Sequence, residues 1–142
     1  MKNMKNWFET KIKYEKIGED GRVITVSENY LVQAMSHSDA ESRIIEEMKA
    51  FISGEFTVEK VAIKKFREII DKEDADRWFR VKVLLVSIDE NSGVEKLIAV
   101  MMLVKAGNIY NALASHREFM KDTLSDYEVI SITETQLIDV YF

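Results

Sequence analysis

Asn29-Tyr30-Leu31-Val32-Gln33-Ala34-Met35-Ser36-His37-Ser38-Asp39-Ala40-Glu41-Ser42-Arg43-Ile44 takes the chain from a strand, through a cap, into an amphipathic helix. Tyr30 and Val32 continue a period-two apolar face begun by Ile24 and Val26, whereas Ala40, Ile44 and Met48 recur at helical spacing. Ser38-Asp39-Ala40-Glu41 has the form of a capping box, so the helix is expected to start near Asp39. Its stripe continues to Phe51 with Ile45 and Ile52 beside it, and Ser53-Gly54 is expected to end it with glycine in the left-handed conformation.

Upstream, Phe8, Thr10, Ile12 and Tyr14 alternate with Glu9, Lys11, Lys13 and Glu15, the mark of a strand with one buried and one wet face. Gly18-Glu19-Asp20-Gly21 turns it into the strand from Val23 to Ala34, giving a β-hairpin. Glu28 falls on the apolar side and is expected at a sheet end or bulge, meeting water or a basic neighbour. Downstream, Phe56 to Ile70 reads as one long third strand, with a bulge or bend at Lys64-Lys65. Residues 71–77 form an acidic connector that lacks the glycine and terminal glutamate of a calcium loop.

Past the connector the pattern restarts. Trp78-Phe79-Arg80-Val81-Lys82-Val83 echoes Trp7-Phe8-Glu9-Thr10-Lys11-Ile12 at a shift of 71 residues (78 − 7). Met101-Met102-Leu103-Val104-Lys105-Ala106-Gly107-Asn108-Ile109-Tyr110-Asn111-Ala112 repeats the strand-to-helix plan; with one residue added in the turn, Ala34 aligns with Ala106, Ala40 with Ala112 and Met48 with Met120. Asn108 is the expected second cap, and Ala112, Leu113, His116, Phe119, Met120 and Leu124 the second stripe. Tyr127 to Phe142 repeats the third strand. The expected fold is α+β: a single domain over 1–142 built of two strand-strand-helix-strand repeats, about 7–70 and 78–142, with mainly antiparallel sheet and both helices packed on it as a pseudo-twofold pair.

The repeats differ in their outer faces. Where the first offers Lys13 and Glu15, the second offers Leu84 and Val86, and its next strand is apolar on both sides from Leu97 to Val104. A strand apolar on both faces is covered, either by the chain or by a partner. Leu84, Val86, Met101 and Leu103 are therefore the candidate partner-binding residues, for another protein or for a second copy in a homo-oligomer.

Composition narrows the chemistry. The chain of 142 residues is 46% hydrophobic and 32% charged, typical of a globular body, with a formal net charge of −5 that disfavours nucleic acid as a general partner. Zero cysteines exclude disulfides, thiolate metal sites and a thiol nucleophile, which fits the cytoplasm. No apolar stretch has the length of a membrane span, and none with the features of a signal region follows the basic Met1–Asn6. His37 and His116 are not spaced for metal; His116 aligns with Ile44 and is expected as a packed, hydrogen-bonded core histidine. No nucleophile elbow, triad or phosphate-cradling glycine loop occurs, so no cofactor, no metal and no catalysis are expected. Glu28 and Glu134 are the carboxylates that a fold could pair. Lys60, Lys64 and Lys65, with Arg67, an interleaved Phe66 and Lys2 and Lys5 in the tail, are the candidates for holding single-stranded nucleic acid; the competing reading is a solvated strand edge guarded by lysines.

Trp7-Phe8-Glu9 with Lys11, Tyr14-Glu15-Lys16, Tyr30-Leu31-Val32 with Ala34, Ala40-Glu41 with Arg43-Ile44, Ile52-Ser53-Gly54-Glu55-Phe56-Thr57-Val58, and the tail Thr133-Glu134-Thr135 with Asp139-Val140-Tyr141 are the most distinctive segments. In these the chain resembles a domain-of-unknown-function family found in gut Bacteroidetes and their phages, over nearly its whole length. It departs from that family's pattern at Asn29, Gln33 and Ser36-His37-Ser38. The resemblance carries no activity; it implies an accessory protein of phage or mobile-element origin, acting in the host cytoplasm. The function expected is thus a non-catalytic protein-protein interaction or accessory module, with a single-stranded nucleic-acid binder as the alternative and a small enzyme third.

Overall fold

The computed structural model describes residues 5–72 and 74–142. The protein is α+β. Its elements in order are β1 (Asn6–Ile17), β2 (Val23–Ala34), α1 (His37–Lys49), β3 (Phe56–Lys64), β4 (Glu68–Ile70), β5 (Arg77–Ile88), β6 (Glu95–Ala106), α2 (Ile109–Met120), β7 (Tyr127–Glu134) and β8 (Leu137–Tyr141). No helix among the described residues is long and apolar enough to cross a membrane.

Two four-stranded sheets result, ordered β3-β1-β2-β8 and β4-β6-β5-β7. The first belongs to a compact unit of residues up to Lys65 together with Gln136–Phe142; the second belongs to a unit of Phe66–Thr135. Within each repeat the strand order is the same, third-first-second. The registers match as well: Phe8 pairs with Ile63 and Phe79 with Glu134, at a common shift of 71 (79 − 8 and 134 − 63). Both third strands carry a bulge at the equivalent place, opposite Lys11/Ile12 and opposite Lys82/Val83.

The core of the first unit lies under α1. Phe8, Ile12, Tyr30, Val32 and Ala34 from one sheet face meet Ala40, Ile44 and Met48. In the second unit Phe79, Val81, Val83, Met102, Val104 and Ala106 meet Ala112 and Met120. Full burial of a side chain the size of Ile44 or Met48 is worth about 1.5–3 kcal/mol, which ties each short helix to its sheet.

Four expectations are corrected. The cap of α1 is Ser36, whose hydroxyl accepts from the Asp39 amide, so the helix begins at His37 and not near Asp39. It ends at Lys49, with Ala50 in the right-handed region and Gly54 at negative φ; Phe51 is beyond the last turn and 72% exposed. The stripe of α2 is shorter than its apolar pattern: Phe119 lies within the helix but off its buried face and is exposed, and the helix stops at Met120, short of the exposed Leu124. The long third strands break: β4 leaves β3 at Lys65-Phe66-Arg67 to pair in parallel with β6, and β8 leaves β7 at Thr135-Gln136 to pair in parallel with β2. Each repeat thus contributes its last strand to the other repeat's sheet.

Candidate interaction surface

β7 accompanies β5 only from Phe79 to Leu85, after which Val86 N donates to Asp126 O at 3.0 Å. β4 accompanies β6 only at Met102–Val104, and Arg67 N donates to Met101 O at 2.8 Å. Beyond these limits the β5–β6 hairpin runs on as a two-stranded ribbon. Its turn is firmly built. Asp89 N donates to Val94 O at 2.9 Å, the Asp89 carboxylate accepts from Asn91 N at 2.8 Å and Ser92 N at 3.2 Å, and Gly93 supplies the left-handed φ of 70° that closes it.

The ribbon's side chains are apolar in spite of their exposure. Ile88 is 62% exposed, Leu97 68% and Ile98 43%. Under one face lies a cleft of about 540 Å³, lined by Leu85, Ile98 and Leu124 together with Arg67, Glu95 and Asp126.

The pairing register places the sequence candidates around this ribbon. Leu84 lies opposite Ala99, Val86 opposite Leu97, and Met101 opposite Lys82, all half-buried on the face away from α2. Leu103 lies opposite Arg80 with Ile69 on its other side, in the central stretch of β6, and is fully buried. It offers no surface, which corrects its place among the contact residues. Ile88, Ile98 and Leu124 were missed by sequence reasoning: Ile98 belongs to the helix-facing side of β6, and only the early end of α2 leaves that side uncovered.

The basic candidates lie on the first unit. Lys60 is opposite Lys11 and Lys64 opposite Trp7, on β3 at the sheet edge, with Lys65 exposed just past the strand; Lys2 lies outside the described residues. Lys60 and Lys64 line a cleft of about 300 Å³ with Glu9 and Asn29. Glu59, the extra residue of the bulge, reaches Lys11 at 3.9 Å and Lys13 at 3.4 Å. Phe66 is half-buried.

Glu28 lies opposite Ile12, one residue before the register shift between Asn29 and Tyr30, and its half-buried carboxylate accepts from the Tyr30 hydroxyl at 3.3 Å. Burial first, and the Glu28 carboxylate second, push the ionisation of Tyr14 and Tyr30 up. Glu134 is held by Arg77, whose Nε donates to it at 3.1 Å and whose charge is reinforced by that contact. His116 is buried as expected, yet neither ring nitrogen has a hydrogen-bond partner among the described residues, and burial lowers its pKa.

No curated protein and no solved structure matches the chain significantly. A family model, the domain of unknown function DUF4494, matches residues 6–142. That span takes in every strand and both helices, and the chain belongs to the DUF4494 family.

Proposed function

We propose that this protein is a non-catalytic interaction module whose contact surface is the free end of the β5–β6 ribbon. One observation carries the reading: a well-closed hairpin extends past both neighbouring strands and exposes Ile88, Leu97 and Ile98, side chains that contribute stability only when something covers them. Leu84, Val86 and Met101 continue the apolar surface toward the body of the sheet. An accessory role in the phage or mobile-element biology of gut Bacteroidetes, within the host cytoplasm, is the setting proposed from the family resemblance.

The test is affinity capture of the tagged protein from its native lysate, compared with a Leu97→Glu, Ile98→Glu double variant whose folding is checked by circular dichroism. The captured proteins, or the protein's own self-association, should be lost in the variant. An unchanged set of captured proteins together with unchanged sedimentation would remove the ribbon from consideration.

A further inference from the structure

The side of β6 away from β5 is a strand edge. Residues of a strand turn both backbone groups alternately to one neighbour and the other. Val94 O accepts from Asp89 N across the turn, whereas Met101 O accepts from Arg67 N on the far side. Even-numbered residues of β6 therefore face β5, and Glu95, Leu97 and Ala99 present N–H and C=O groups to a stretch of edge that β4 does not reach. Of the outer strands, β3 and β7 each carry a bulge, and β3 carries lysines; the equivalent stretch of β2 that β8 does not reach bears Thr25, Ser27 and Glu28 where β6 has Leu97, Ala99 and Val100. β6 pairs with β5 without a bulge, and Leu97 to Val100 bear no charge.

We infer that this edge pairs with the same edge of a second copy, antiparallel and centred on Leu97. The inference rests on the ribbon reading above and names its partner. In that register Leu97 meets Leu97 of the copy and Ala99 meets the copy's Glu95. Every edge-facing group from residue 95 to residue 99 is satisfied, and none competes for the Met101 carbonyl that Arg67 already occupies. A centre one residue nearer the turn would set Lys96 against Lys96 of the copy, which like-charge repulsion disfavours. Charge complements the chosen register at two points. The copy's turn, with Asp89 and Glu90, arrives beside Arg67, which forms no ion pair among the described residues. The copy's Lys96 lies opposite Ile98, at the cleft that Glu95 and Asp126 line. The product is an isologous dimer in which two four-stranded sheets become one.

The chain has no cysteine, so Leu97→Cys creates a single thiol. Across the two-fold the two residue-97 Cα atoms would stand about 5.5 Å apart, within disulfide range. Under mild oxidation Leu97→Cys should form a covalent dimer much faster than Ile88→Cys, a position of similar exposure that lies on β5. In sedimentation equilibrium the wild type should be a dimer. Ala99→Pro, which deletes an edge-facing N–H while leaving the β5 ladder whole, should be a monomer with unchanged circular dichroism. Should that variant fail to fold, the two cysteine variants decide. A monomeric wild type overturns the inference, and so does a cross-linking rate for Leu97→Cys no higher than that for Ile88→Cys. If the wild type is monomeric but Leu97→Glu still abolishes capture of another protein, self-pairing is wrong and the ribbon remains a contact surface. Indifference of both capture and sedimentation to Leu97→Glu removes the ribbon reading as well.

Discussion

The hydroxyl of Ser36 accepts the Asp39 amide at 3.1 Å, and the Asp39 carboxylate accepts the Met35 amide at 3.0 Å, so side chains satisfy backbone donors at the entry to α1. Ser36→Ala should cost about 1 kcal/mol in urea unfolding, with Ser38→Ala close to the wild type; equal losses at the two positions would show that the cap is shared. His116 carries a different cost. Its buried ring faces Tyr127 edge-on at 6.0 Å, and both nitrogens lack partners among the described residues. Because burial holds its pKa below the unfolded value of about 6.5, the unfolded chain binds the proton first. Its contribution to stability is whole above that value and declines as pH falls from about 6.5 toward the folded pKa, by at most about 1.4 kcal/mol per pH unit. His116→Ile, which installs the residue found at the equivalent Ile44, should flatten this part of the stability profile; a profile parallel to the wild type between pH 7 and about 5 would exclude His116 as its source.

At the scale of elements, the strands are distinguished by what protects their edges. β3 lies outermost, and its Lys60 and Lys64 interrupt any strand that tries to add to it. Replacing both by valine should raise light scattering on storage without lowering the urea midpoint. A wild type that bound single-stranded DNA with affinity falling steeply in salt, and lost that slope on Lys60→Gln with Lys64→Gln, would give these lysines a phosphate-tracking role instead. The bulges at equivalent places in β3 and β7 were not legible: the Lys64-Lys65 doublet marks the end of β3, whereas the extra residue of the bulge is Glu59. A bulge changes the pairing count by one residue without changing the alternation on either side enough to announce itself.

At the scale of the molecule, the two repeats trade their final strands. β8 comes from the end of the second repeat yet closes the first sheet beside β2, burying Leu137 and Val140. A chain ending at Thr135 should therefore lose stability in the first unit. Hydrogen exchange should accelerate in Asn29–Val32 far more than in Met102–Val104, whose partner β4 is retained. Equal protection in both segments would mean that β8 adds nothing to its sheet.

Local periodicity determined the two hairpins, both helices and the repeat between them, because alternation at two and at 3.6 residues is written in consecutive side chains. The repeat even held the cap that direct reading misplaced: with Ala34 aligned to Ala106, Asn108 falls on Ser36, and both cap in the same way, accepting from the amide three residues on. What tertiary structure alone decided was where each strand finds its neighbour. A strand's apolar pattern says which face is buried, but its edge groups are the same peptide units in every residue, so the exchange of β4 and β8 left no mark in composition. The open edge at Glu95–Ala99 follows from the same fact. β4 is too short to cover β6, and that shortfall appears only when the register of the two strands is known.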